Sequence, residues 1–306
     1  MNKTFYIIDG HSQIHRAYHA PFPPLSCYCV ACKGSGQCYV EVGGEPDYDS
    51  CTTCLGTGQE PTKATYVFTK YLLKLLNTKK PDFICMTTDG PRAELIKRRW
   101  YPPYKGDRGD NPSDIYPQVV RIKQIVQALG ITQIQVKGYE ADDVIATLAT
   151  EARGVKDLDV IIVSRDKDLM QLVDSRCKMY DPMSETTYDS AAVEAKFKVK
   201  PHNISDYLAL MGDTADSIPG ISGFGEKTAA KYLNQYGCLD VLLNYRSSLP
   251  PKLAAALTPE AVELNRKLVR LEDNVRLTET YDFRWRGLNL TLAQPIFRML
   301  GFKRWE

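Results

Sequence analysis

Four short apolar runs in this chain lead into an acid. They are Thr4 to Asp9, Pro81 to Asp89, Gly130 to Val136 leading into Glu140, and Leu158 to Val163 leading into Asp166. Runs this short read as strands rather than helices, and the first, wholly apolar from Phe5 to Ile8 and closed by Asp-Gly, as a buried parallel strand. Between them lie stretches with helical spacing, such as Val67, Tyr71, Leu72, Leu75 and Leu76, or Val144, Ile145, Leu148 and Ala149. Strands alternating with helices predict an α/β fold, a mostly parallel central sheet flanked by helices.

That architecture gives the acids a common place, because ligands bind at the carboxyl ends of the strands of an open α/β sheet. Asp9, Asp89, Glu140, Asp142, Asp143, Asp166 and Asp168 would share one rim. Within Gly138-Tyr-Glu-Ala-Asp-Asp143 alone, a solvated acidic helix start is the plain alternative, since a helix dipole favours acids in its first turn. Acids arriving from three other strand ends favour a site. So many carboxylates cannot all stay ionised without counter-cations. Oxygen-only ligands select hard ions, Mg²⁺ or Mn²⁺, and two such ions ~4 Å apart can clamp a phosphodiester.

The 306 residues, 43% hydrophobic and 25% charged, suffice for one large or two modest domains. No apolar run approaches the ~20 residues that span a bilayer. The first nine residues hold one lysine and a short apolar run ending in an acid, which is not a secretory signal, so a cytoplasmic location is expected. The net charge of +2 announces no global attraction to nucleic acid. Any such surface must be local. One candidate lies between the second and third runs, where Arg92, Lys97, Arg98, Arg99, Lys105 and Arg108 interleave with Trp100, Tyr101 and Tyr104. Cations for phosphate and rings for stacking suit single-stranded nucleic acid. Pro102, Pro103 and Pro112 argue against one continuous helix there.

A second candidate begins near Asp206. A helix is followed by Asp213-Thr-Ala-Asp216, then Gly220-Ile-Ser-Gly223-Phe-Gly225-Glu-Lys227-Thr228, and a second helix from about Glu226 carries Lys231. This reads as a helix-hairpin-helix over about 203–237, whose glycines leave backbone amides open beside a helix start, a phosphate cradle indifferent to base identity.

The nine cysteines are unevenly spread. Cys29-Val-Ala-Cys32-Lys-Gly-Ser-Gly36 and Cys51-Thr-Thr-Cys54-Leu-Gly-Thr-Gly58 repeat one CxxCxGxG unit, with 18 residues between the two pairs. That spacing predicts a closed structural Zn²⁺ site at Cys29, Cys32, Cys51 and Cys54, with Cys27 and Cys38 as alternative ligands. Cys85, Cys177 and Cys238 are expected to be small buried residues. His11, His15 and His19 recur every four residues; a polar helix face near a site is favoured over a metal site. Trp285 and Trp305 are assigned to packing.

The acidic motifs with Ile8-Asp9-Gly10, Asp89, Gly212-Asp213-Thr-Ala-Asp216 and Gly223-Phe-Gly225-Glu-Lys-Thr-Ala229 resemble the 5′→3′ exonuclease domain of bacterial DNA polymerase I and the flap endonuclease family. Tyr104-Lys105-Gly-Asp-Arg108 is similar to that family's arch segment. The cysteine repeat separately resembles the zinc units of DnaJ-type chaperones. The family resemblance implies a PIN-like 5′ nuclease hydrolysing DNA near a 5′ end, flap or nick with two or more divalent ions. It implies one metal position among Asp9, Asp89, Glu140, Asp142 and Asp143, and another among Asp166, Asp168, Asp213 and Asp216. It also implies Lys105 at the scissile phosphate, acting with Asp9, Asp89 and Asp143, and K⁺ at the hairpin. Lys97 is expected as the second arch cation. DNA contacts are expected from Arg98, Arg99, Tyr104, Arg108, Gly220, Gly223, Gly225, Lys227, Thr228 and Lys231. Ser217 departs from the family's usual Asn.

The expected divisions are a nuclease core at 1–26 and 59–185 with an arch at about 91–115, a zinc insert at 27–58, and a helical region at 186–306. The insert is expected to extend the DNA-junction surface or dock a replication or repair protein. The chain is expected to be a self-contained monomer, bacterial or phage-encoded, without a membrane partner. The alternatives are a PIN-like nuclease acting on RNA and a non-catalytic zinc protein that binds DNA junctions.

Overall fold

The computed structural model describes residues 2–42 and 45–305, with side chains described outside 39–48. The chain forms two compact units. One comprises Met1–Asp9, Thr87–Gly109 and Ile134–Thr280; the other comprises Gly10–Met86, Asp110–Gln133 and Tyr281–Glu306.

A six-stranded sheet runs, in spatial order, through Thr186–Tyr188, Cys177–Asp181, Leu158–Val163, Lys3–Asp9, Phe83–Thr88 and Thr132–Gln135. Lys3–Asp9 pairs in parallel with Leu158–Val163, Ile7 beside Ile162 and Ile8 beside Val163. Leu158–Val163 pairs in parallel with Cys177–Asp181. From Phe5 to Asp9 every residue is buried, because a strand covered on both faces has no solvent side to alternate with. After the first strand the chain builds outward on one side of it, then returns to build on the other. The strand order therefore reverses at Lys3–Asp9, and its carboxyl end is the crevice where such sheets bind ligands.

The four expected strands are all present, each matching its run to within two residues at either end. Cys177–Asp181 and the antiparallel edge strand Thr186–Tyr188 were not expected. They are short and carry Lys178 and two threonines instead of an apolar run. The turn between them is held by Asp181, whose carboxylate accepts the Met183 amide at 2.9 Å and the Ser184 hydroxyl at 2.8 Å.

In the second unit, helix Lys63–Lys79 buries Val67, Phe68, Leu72, Leu73, Leu75 and Leu76. Its first-turn amide at Ala64 is capped from a distance by the Gln118 side chain at 2.7 Å. Trp305 packs as expected, stacked on Tyr66 with ring centroids 5.0 Å apart. Cys85 and Cys177 are buried, but Cys238, at the N-cap of helix Leu239–Asn244, is only half-buried. Among the described residues no helix is long and apolar enough to cross a membrane.

Candidate active site

Asp9 ends the central strand with its carboxylate almost wholly buried. The buried Ser164 hydroxyl donates to it at 2.7 Å and accepts the Asp166 amide at 3.0 Å, so one serine ties together the ends of two parallel strands. The Asp166 carboxylate in turn accepts the Asp168 amide at 3.0 Å. Asp89, one residue beyond its strand, accepts the Ala141 amide at 2.8 Å. This bond fastens it to the start of helix Ala141–Arg153.

Glu140 is the N-cap of that helix and forms a reciprocal capping box with Asp143, whose carboxylate accepts the Glu140 amide at 3.3 Å. Both are buried, and Asp143 also accepts the Glu272 amide at 3.0 Å. Asp142, on the other side of the helix start, faces different company. Burial, and then the carboxylates of Asp166, Asp9 and Asp89, hold its pKa well above the ordinary range.

The cations of the arch segment fold onto these acids. Lys97, on the short helix Ile96–Trp100, lies 3.2 Å from Glu140 and 3.5 Å from Asp143. Lys105 pairs with Glu140 and lies 3.6 Å from Asp216. The Tyr104 hydroxyl donates to Glu140 at 2.8 Å, and Arg108 pairs with Asp216. Burial alone would raise Glu140, but Lys97 and Lys105 outweigh it and bring its pKa down to about 2. Lys97 and Tyr104, expected on a DNA-facing surface, are instead buried, because the nearby carboxylates give their polar ends better partners than solvent. Arg92, grouped in the sequence with the cations suited to nucleic acid, donates to the carbonyls of Lys105 and of Arg108, the latter at 2.6 Å, and so pins the arch turn.

A second acid group forms from distant segments. Oxygens of Asp168, Asp213 and Asp216 lie within 4.8 Å of one another. Burial and Asp166 push Asp168 up to about 7, against the pull of Lys167. Lys167 itself pairs with Asp213 at 2.8 Å; its place between Asp166 and Asp168 in sequence was the available signal. Asp213 and Asp216 lie in the link from helix Ile204–Met211 to helix Glu226–Tyr236. Two backbone hydrogen bonds, 3.0 and 2.8 Å, pair Asp213 with Ile218. Gly212 and Gly220 both have positive φ, and their backbones approach so closely that a Cβ on Gly212 would lie 2.5 Å from the Gly220 nitrogen. Gly225, by contrast, opens the second helix with free space around it, and Gly223, Lys227 and Lys231 are exposed while Thr228 is half-buried. Arg99 is exposed and Arg98 half-buried.

The four cysteines of the repeat converge separately. Their sulfurs lie within 4.8 Å of one another, with Cys29 and Cys51 sulfurs 3.8 Å apart and those of Cys32 and Cys54 3.6 Å apart. Ligand bonds of ~2.3 Å in a tetrahedron place sulfurs ~3.8 Å apart, so the set fits zinc without rearrangement. The Gly36 amide donates to Cys32 Sγ at 3.3 Å and the Gly58 amide to Cys54 Sγ at 3.2 Å, matching bonds in matching halves. Cys38 packs against this cluster; Cys27 is half-buried on the strand Ser26–Tyr28. The rings of His11, His15 and His19 stack along their helix at 4.5 and 6.5 Å, but among the described residues they do not bring three ligand atoms together.

A mostly parallel sheet, acids gathered at its order reversal and a glycine hairpin beside them make up a PIN-like fold. The chain belongs to the 5′-3′ exonuclease family: residues 4–198 match that family's N-terminal resolvase-like domain and residues 199–290 its C-terminal SAM fold. It is 36% identical over 269 residues to a 5′-3′ exonuclease of Aquifex aeolicus, across 88% of this chain and 82% of that one. It is 36% identical over 245 residues to the thermostable DNA polymerase I of Thermus thermophilus, across 79% of this chain but 29% of the polymerase. The flap endonuclease of bacteriophage T5, solved with DNA and metal ions, shares the fold with a TM-score of 0.66 at 16% identity, across 88% of this chain and 90% of that one.

Proposed function

We propose that this chain is a structure-selective 5′→3′ exonuclease and 5′-flap endonuclease that hydrolyses DNA phosphodiester bonds with Mg²⁺ or Mn²⁺. The observation that carries this reading is the meeting of carboxylates from five sequence segments at the carboxyl end of one strand, with oxygens of Asp168, Asp213 and Asp216 within 4.8 Å of one another and Asp142 and Asp168 lifted by burial and then by their acidic neighbours. An all-oxygen donor set fits hard dications and no soft metal. Dications held there supply the charge that draws in a phosphodiester and makes water nucleophilic.

The chain's own residues do the rest. Lys105 and Arg108, now paired with Glu140 and Asp216, offer their charge to the phosphate backbone when it arrives. The Gly223–Gly225 amides, with Lys227 and Lys231, grip a duplex phosphate without reading sequence. Arg98, Arg99 and the exposed Trp100 suit the single-stranded portion. We assign Zn²⁺ to Cys29, Cys32, Cys51 and Cys54 as a structural ion, and a junction-extending or partner-docking role to residues 27–58.

The test is incision of a labelled 5′-flap duplex with and without Mg²⁺. Incision near the junction in Mg²⁺ and none in its absence is expected, with an RNA flap cut more slowly than a DNA flap. Metal-independent cutting, or none under either condition, would overturn the reading.

A further inference from the structure

The three acids of the Glu140–Asp143 stretch do not share one environment. Asp143 has donors on both oxygens: one accepts the Glu140 amide at 3.3 Å, and the other the Glu272 amide at 3.0 Å with Lys97 at 3.5 Å. Glu140 is similarly filled, by Tyr104 and Lys97 on one oxygen and Lys105 on the other. Both carboxylates are buried. Asp142 stands among Asp166, Asp9 and Asp89.

The cations also differ. The Arg108 side chain is 41% exposed and free to exchange partners, and Lys105, 12% exposed, sits on a left-handed turn rather than on a helix. Lys97 is mounted firmly. Its helix is tied to the Gly138 carbonyl through the Ile96 amide at 2.9 Å, Leu95 beside it is buried, and Trp100 at the helix end lies under the Lys267 ammonium, 4.5 Å from the ring centroid. A buried ammonium held between two carboxylates is costly to remove, since Asp143 would be left without its counter-charge and Glu140 with Lys105 alone.

We propose that Lys97 is a positioning residue, a built-in cation that binds Glu140 and Asp143 into the wall of the site and leaves Asp142 as the one acid of this stretch presented to the dications. The inference rests on the metal-nuclease reading and divides its acids into two sets. Asp9, Asp89, Asp142, Asp166, Asp168, Asp213 and Asp216 face the ions. Glu140 and Asp143 hold the helix start in register so that Asp142 points where it does.

Calorimetric titration of the zinc-loaded chain with Mn²⁺ tests this without turnover. Asp142→Asn should lose one bound Mn²⁺ ion, whereas Asp143→Asn should keep the parent number of ions and bind them about 10- to 100-fold more weakly. Lys97→Met should raise the number of Mn²⁺ ions bound by one, since the freed carboxylate pair now needs a cation, and Lys97→Arg should restore the parent count. Loss of a bound ion in Asp143→Asn, an unchanged number of ions in Asp142→Asn, or an unchanged count in Lys97→Met would overturn the proposal while leaving the nuclease reading intact. A parent chain that takes up no Mn²⁺ would overturn both. If Lys97→Met does not fold, the comparison of the two Asn variants decides alone.

Discussion

Lys105 holds a left-handed backbone, φ +52°, at the tip of the turn that lays its ammonium on Glu140. Such a conformation costs roughly 1 kcal/mol in a residue with a Cβ, so the ion pair is set against local strain and is poised to exchange. Lys105→Ala should lower kcat on a flap substrate by about 10²-fold, the scale of losing one preorganised charge at a reacting phosphate, with a smaller change in KM. Steady-state kinetics check this. The acids were legible because an apolar run ending in Asp-Gly states its own geometry. Lys97 was not. Whether a lysine between Ile96 and Arg98 meets solvent or a carboxylate depends on how a five-residue helix docks, and a helix that short takes its place from tertiary contacts.

Among the elements, the cysteine repeat is built as two interlocked halves. The Cys29 amide donates to the Gly58 carbonyl at 3.0 Å and the Cys51 amide to the Gly36 carbonyl at 2.8 Å, so each half closes the other. A Cβ on Gly36, which has φ +80°, would fall on the Gly56 carbonyl oxygen. Gly36→Ala should therefore cost the chain its zinc, read as metal per chain by elemental analysis, while Ser35→Ala, which removes a hydroxyl bonded to the Cys32 and Gln37 carbonyls and accepting the Gln37 amide but touching no sulfur, should retain it. The pairs and glycines were legible from spacing alone. The spacing also picked Cys29, Cys32, Cys51 and Cys54 over the alternatives Cys27 and Cys38, and those four sulfurs are the ones that meet, with Cys38 packed beside them. The second helix of the hairpin began at Glu226 as expected, since a glycine before an acid marks a helix start. Strands Cys177–Asp181 and Thr186–Tyr188 escaped notice because their pairing partner, not their composition, makes them strands.

At the scale of the whole molecule, the acid cluster sets how stability follows pH. Asp168 keeps its proton in the folded chain up to about pH 7, against an ordinary value of 3.8, so it favours folding at low pH and that contribution is lost as pH rises through 7. Asp142 acts in the same direction. Glu140 acts oppositely: held at about 2 against 4.5, it stabilises above 4.5 and loses that contribution as pH falls towards 2. Without Mg²⁺, the melting temperature should drop by on the order of 5 °C between pH 6 and pH 8, and Mg²⁺ should abolish the drop. Calorimetry in metal-free and Mg²⁺ buffers checks both. The sheet was legible as alternation; the division into two units was not, since each unit collects three separated stretches of chain.

The pairing of Asp213 with Ile218, and the close approach of Gly212 to Gly220, join two carboxylates to the hairpin by main chain alone. Grip and blade thus share one rigid mount, and the molecule carries a ruler: the distance from the clasped duplex phosphate to the scissile bond is set by covalent spacing. One glycine inserted between Ile221 and Gly223 should displace the incision by about one nucleotide, a backbone rise comparable to the ~3.4 Å between stacked nucleotides, and a sequencing gel would read the shift directly.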